Sequence, residues 1–212
     1  MPNVKTYYVS KNGNERIQPN FLVREFRCKD GTDKLLIDKE MTFILQYIRN
    51  RLGPITINSA YRTPSYNKKV GGASNSYHLY GRAFDITNSS KQLTAISNIA
   101  YSLGVKGIIK YGTFIHIDSR PNQYFANSSG TRITYNHYDI PFEKVCKYGS
   151  RDLQTALIQF KLNSLKYNCG IVDGIYGTDT HDAVVKFQKA VGFKGKDVDG
   201  IVGRMTWNKL FN

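Results

Sequence analysis

A chain of 212 residues is longer than one small domain and shorter than three, and 41% hydrophobic with 22% charged residues is a globular balance that leaves enough apolar side chain for a core. The net charge of +14 is unevenly spread, with nine Lys/Arg against six Asp/Glu in residues 148–212 and 21 against 10 before them, so the first part favours an anionic partner. Nucleic acid, an acidic membrane and acidic wall polymers all carry such charge, but no long Lys/Arg run or Arg-rich helix is present, which makes dedicated nucleic-acid readout the weaker class.

Cys28, Cys146 and Cys169 are odd in number and lack CxxC spacing, so reduced, partly buried thiols are expected rather than a thiolate metal site. The opening MPNVKTYYVSKNGNERIQ has neither an apolar core nor a small-residue cleavage site, and no 18-residue apolar run follows. The expectation is a soluble monomer made in a cytoplasm, with no membrane partner.

In chain order, LLIDKEMTFILQYIRNRLG predicts a helix capped by Asp38, with Met41, Ile44, Leu45, Ile48 and Leu52 on one face and Gly53-Pro54 as its stop. PITINSAYR reads as a strand. SKQLTAISNIAYSLG predicts a second helix, burying Leu93, Ile96, Ile99, Ala100 and Leu103 and ending at Gly104. GIIKY and TFIHIDS alternate as paired strands, so an α+β domain with a small antiparallel sheet is expected over residues 1–135. Residues 136–148, with Pro141 and no periodicity, read as a linker. From 149 to 212 the texture turns helical, with Leu153, Leu157, Phe160 and Leu165 at helical spacing. There DGIYGTDT at 173–180 recurs as DGIVGRMT at 199–206, each a Gly-punctuated turn leading into a helix. An all-α, three-helix module follows from that repeat.

Four histidines exist, His78, His116, His137 and His181. Alternation in TFIHIDS places Phe114, His116 and Asp118 on one strand face, so a His and an Asp sit side by side about 7 Å apart along the strand. By pattern alone His116 reads either as a metal ligand or as a hydrogen-bonded histidine, and His78 with Asp85, seven residues on, as a ligand pair or a polar loop.

SNSYHLYGRAFDI, residues 74–86, resembles the SxHxxGxAxD signature of the zinc-dependent D-Ala-D-Ala carboxypeptidase family, through Ser76, His78, Gly81, Ala83 and Asp85. That family includes phage endolysin peptidases and vancomycin-resistance dipeptidases, and shares its fold with the Hedgehog amino-terminal domain. The likeness extends upstream through SAYRTPSYN and downstream to TFIHIDSR, over roughly residues 20–120. It implies His78, Asp85 and His116 as Zn²⁺ ligands, Arg62 facing the substrate carbonyl or carboxylate, and Ser76 beside the site. Such a ligand set leaves the metal a net positive charge and an open position for water. Many members carry an acidic general base three residues before the last histidine, where this chain has Thr113. Asp118 is therefore a candidate base, or else the partner that orients His116.

Residues 149–212 resemble the type 1 peptidoglycan-binding module, through the two DGxxGxxT turns, Phe187, Gln188, Trp207 and Leu210. Trp207 is read as core in preference to a sugar-stacking residue. Together the two likenesses imply a zinc peptidase that hydrolyses an amide bond of the peptidoglycan stem or cross-bridge, with anionic wall polymers as further partners. A wall-binding protein with a non-catalytic zinc site is the other reading. A phage endolysin is the expected setting, in the host cytoplasm and then at the wall after a separate protein perforates the membrane.

Overall fold

The computed structural model describes residues 3–212. Strand β1 (Val4–Tyr8), the one-turn helix α1 (Val9–Asn12) and the short antiparallel pair β2 (Arg16–Gln18) and β3 (Phe21–Leu22) precede β4 (Lys34–Asp38), which pairs antiparallel with β1. Leu35 and Ile37 are buried while Leu36 is not, a period-two pattern, so this stretch is a strand and helix α2 spans only Lys39–Leu52. Asp38 marks the change by accepting a hydrogen bond from the Glu40 N–H and capping α2. From there the predicted stripe of Met41, Ile44, Leu45 and Ile48 is buried, with Leu52 packed at its margin.

Strand β5 (Thr56–Ser59), helix α3 (Pro64–Lys69), strand β6 (Ala83–Thr87), helix α4 (Ser90–Leu103) and strands β7 (Gly107–Lys110), β8 (Phe114–Asp118) and β9 (Tyr124–Asn127) complete the first domain. Five strands form the main sheet in the order β5-β6-β8-β7-β9. The sheet is mixed rather than antiparallel as expected, because β9 starts at the end of the sheet where β8 finished, beside Gly107, and so runs parallel to β7. α4 buries its predicted face against β7, β8 and α2.

Three helices make up the second domain: α5 (Leu153–Ser164), α6 (Thr178–Ala190) and α7 (Arg204–Phe211). Of the face predicted for α5, Leu157 is buried and Leu153 and Phe160 pack against the core. Ala156, Leu157, Ile158 and Leu162 are buried, while Leu165 lies past the helix end and is exposed. The repeated turns are built alike around two buried glutamines. The Gln159 amide donates to Asp173, to the Ile175 carbonyl and to Thr180, and the Gln188 amide to Asp199, to the Ile201 carbonyl and to Thr206. Their carbonyls accept the Gly174 and Gly200 N–H groups.

The expected linker is packed. Tyr138 N–H donates to Ser102 in α4, the Trp207 indole N–H donates to the Ile140 carbonyl, and Cys146 bridges to Val202. Trp207 is 1% exposed, a core residue. The two domains also meet directly, where Lys161 donates to the Ser102 carbonyl and the Val172 N–H donates to Glu40. All three cysteines are free and buried, and burial pushes the Cys146 and Cys169 thiols up to about 11 and about 12, which keeps them protonated. Among the described residues no helix is long and apolar enough to cross a membrane.

Candidate metal centre

Sheet register brings the first two side chains together, since Asp85 of β6 and His116 of β8 are direct cross-strand partners. His78 arrives from a 3₁₀ turn, Tyr77–Tyr80, that ends on Gly81 in the left-handed conformation (φ 66°). A Cβ at Gly81 would fall 2.3 Å from the Leu36 carbonyl oxygen, so β4 backbone imposes the glycine and the turn is pressed against β4.

His78 Nε2, His116 Nδ1 and one oxygen of Asp85 form a triangle with sides of 3.1, 3.2 and 2.8 Å. Ligand bonds of about 2.0–2.1 Å at tetrahedral angles put donor atoms about 3.3 Å apart, so one ion fits over this triangle. Outer partners set both tautomers. His78 Nδ1 donates to the Ala60 carbonyl at 2.6 Å, which leaves the Nε2 lone pair for a metal. His116 Nε2 donates to Asp118 at 3.0 Å, which leaves the Nδ1 lone pair. His137 and His181 lie elsewhere, against Ser102 and Asp182, and His78, Asp85 and His116 are the one cluster of metal-ligating groups among the described residues.

Asp118 is fully buried, and the guanidinium of Arg120 grips both its oxygens. It sits behind His116, on the ring nitrogen remote from the triangle, which is the geometry of an orienting partner and leaves no oxygen aimed at the triangle as a base would need. Arg62 donates from Nε to Ser59 and from Nη2 to the second oxygen of Asp85, while Nη1 has no partner among the described residues. Ser76 caps the 3₁₀ turn by accepting the His78 N–H, and lines the cleft. Ser59, Ala60 and Arg120 escaped the sequence reading. Ser59 and Ala60 open the SAYRTPSYN stretch and Arg120 closes TFIHIDSR, so all three adjoin motif residues.

The cleft above the triangle encloses about 470 Å³, and Tyr77, Tyr111, Phe114 and Arg120 line it beside Arg62 and Ser76. Tyr111 stacks on Phe114 with ring centroids 4.2 Å apart. Asp85 is the sole carboxylate on its wall among the described residues, and Thr113 lies in the exposed turn between β7 and β8. Burial lowers the His78 pKa. At His116 burial acts the same way, but hydrogen bonds to Asp118 and Asp85 outweigh it and hold the ring up at about 9. Burial by itself would raise the Asp85 carboxyl, but its close contacts with the His116 and His78 rings outweigh that and place its pKa well below the usual carboxylate range.

Residues 16–118 match the family model described as Peptidase M15. The first domain belongs to the Peptidase M15 family. All of His78, Asp85 and His116 fall within that match, and they are the metal-binding triad of this M15 domain. Residues 151–210 match the model of a peptidoglycan binding domain, so a peptidoglycan-binding domain follows the M15 peptidase domain. The zinc D-Ala-D-Ala carboxypeptidase of Streptomyces albus G is 40% identical over 76 residues, 35% of this chain and 30% of that protein. The N-acetylmuramoyl-L-alanine amidase CwlM of Mycobacterium tuberculosis is 32% identical over 82 residues, 39% of this chain and 18% of that protein. The chain therefore spans less than a third of the length of either relative. A crystal structure of a peptidoglycan-binding protein from Clostridioides difficile is similar over 32% of this chain and 40% of that one, at 38% identity and a TM-score of 0.30.

Proposed function

We propose that the protein is a zinc-dependent peptidase that hydrolyses an amide bond in the stem or cross-linking peptide of peptidoglycan, and that residues 149–212 hold it on the wall. The observation that carries this reading is the triangle of His78, Asp85 and His116 with both tautomers set by Ala60 and Asp118. Two neutral imidazoles and one carboxylate are a donor set suited to Zn²⁺, with room for a fourth ligand. A zinc ion bound there supplies Lewis acidity that polarises a substrate carbonyl and acidifies water. Arg62, with one guanidinium nitrogen free, holds the carbonyl oxygen or a terminal carboxylate of the peptide. Ser59 fixes Arg62 for that task, and Arg120 with Asp118 fixes His116. The stacked rings of Tyr111 and Phe114 give the peptide an apolar wall. Tethering through the second domain raises the local concentration of the catalytic unit on an insoluble polymer. A phage endolysin acting at the wall once the membrane has been perforated is the setting we propose for this pairing.

One observation favours a second reading, a wall-binding protein whose zinc site is not catalytic: no carboxylate beyond Asp85 lines the cleft among the described residues. The full chain incubated with isolated cell walls separates the two. Peptide fragments released and identified by mass spectrometry, and lost on chelation and in His78→Ala, are the expected result. Intact walls in the presence of stoichiometrically bound zinc would overturn the peptidase reading in favour of the second.

A further inference from the structure

The seam between the domains gathers amines with no acid to match them. Lys106 precedes β7 in the first domain, and Lys161 and Lys166 lie on and just past α5 in the second. Among the described residues none of the three is within ion-pair distance of a carboxylate. Their charges act on one another. Burial, then Lys166, lowers the Lys106 pKa, and burial, then Lys106, brings Lys161 down to about 8. Lys161 is satisfied by the Ser102 carbonyl at 2.5 Å and lies over the Phe211 ring, whereas the ammonium groups of Lys106 and Lys166 donate no hydrogen bond among the described residues. Lys166 also holds a left-handed backbone (φ 70°) in which a glycine would be free of strain.

Lys106 and Lys166 open onto an interdomain cleft of about 590 Å³, whose wall includes Arg82, Arg120 and Asn168. Glu40 is the only carboxylate on that wall among the described residues. One of its oxygens takes the Val172 N–H, and burial holds its carboxyl up at about 7, so near neutral pH it offers the lysines only part of a charge. Arg120 lines both this cleft and the one above the metal triangle, so the two adjoin. Like charges brought together without a counter-ion repel, and a bound anion removes that cost. The two free groups are lysines, compact point charges that can meet the oxygens of a phosphate from any direction.

We propose that the interdomain cleft is an anion-binding subsite for phosphodiester groups of an acidic wall polymer, with Lys106 and Lys166 as the charge partners and Asn168 as a further donor. The subsite deepens the reading of the chain as a wall-directed peptidase and rests on it for its setting. The polymer would lie along the seam and bring the attached peptidoglycan to the adjoining catalytic cleft.

The test is co-sedimentation of the full chain with purified walls that keep their phosphodiester polymer and with the same walls chemically stripped of it. Wild type is expected to bind the intact walls about tenfold more tightly at low salt, a preference that fades as salt screens it. Lys106→Gln with Lys166→Gln removes the preference, and Lys106→Arg with Lys166→Arg restores it, which excludes a folding defect. Equal weakening of the Gln pair on both wall types would overturn the phosphodiester assignment. Unchanged binding of the Gln pair on both overturns the proposal. Peptide release from the stripped walls is followed in parallel; its absence in wild type would strike the peptidase reading alone.

Discussion

His116 offers a lone pair at Nδ1 because Asp118 accepts a hydrogen bond from its Nε2–H, and Arg120 balances the charge of Asp118 behind it. Asp118→Asn keeps the size and loses the charge, so the ring is no longer held in one tautomer. Zinc affinity should fall about 10–100-fold, as read by competition with a chelating dye. Asp118 and Asp85 together hold the His116 pKa at about 9, above its ordinary value, so a proton competes with metal below that pH. Affinity should rise up to about tenfold per pH unit between 7 and 9, then level off, in chelator competition across that range. For Arg62 the expectation concerns chemistry. Arg62→Lys retains a charge but cannot reach Ser59, Asp85 and a substrate oxygen together, and should lower kcat about 100-fold with thermal unfolding unchanged.

Elements carry the triad into place through contacts distant in sequence. The 3₁₀ turn bearing His78 is pinned against β4 at Gly81, where Gly81→Ala would combine an unfavourable backbone with a clash against the immovable Leu36 carbonyl. A loss of about 2–4 kcal/mol in denaturant unfolding is expected, together with weaker metal binding as the turn shifts. In the second domain Gln188 joins Asp199, Gly200, Ile201 and Thr206 into one turn, and Gln188→Ala leaves the Gly200 N–H without its acceptor. Melting should show a loss of about 2–3 kcal/mol. The doubled DGxxGxxT pattern announced both turns, because Asp-Gly chemistry is local. The glutamine that organises each turn precedes it by 11 to 14 residues, and only helix packing reveals that it faces inward. The same limit explains Leu35 and Ile37. Ile37 stands four residues before Met41, a spacing that one continuous helix would also suit, and only pairing with β1 separates strand from helix.

At the scale of the whole molecule the domains meet through few polar contacts, and Glu40 is one of them. Burial raises its carboxyl from 4.5 to about 7, so the folded protein holds a proton that the unfolded chain releases. Stability should therefore decline as pH rises from about 4.5 to about 7, and Glu40→Gln should flatten that slope in melts at pH 5 and pH 8. What the order of residues alone conveyed is the part governed by local rules: two domains of different texture, the buried stripes of α2 and α4, the paired turns, and a ligand set readable from a resemblance. What required the folded chain is the part governed by distance. The direction of β9, the orienting place of Asp118 behind His116, the clamp of Arg120 and the packed course of residues 136–148 all depend on which side chains meet across the sheet and the seam. Hydrogen bonds and charge interactions fade within a few ångströms, and residues far apart in sequence come within that range only through tertiary packing.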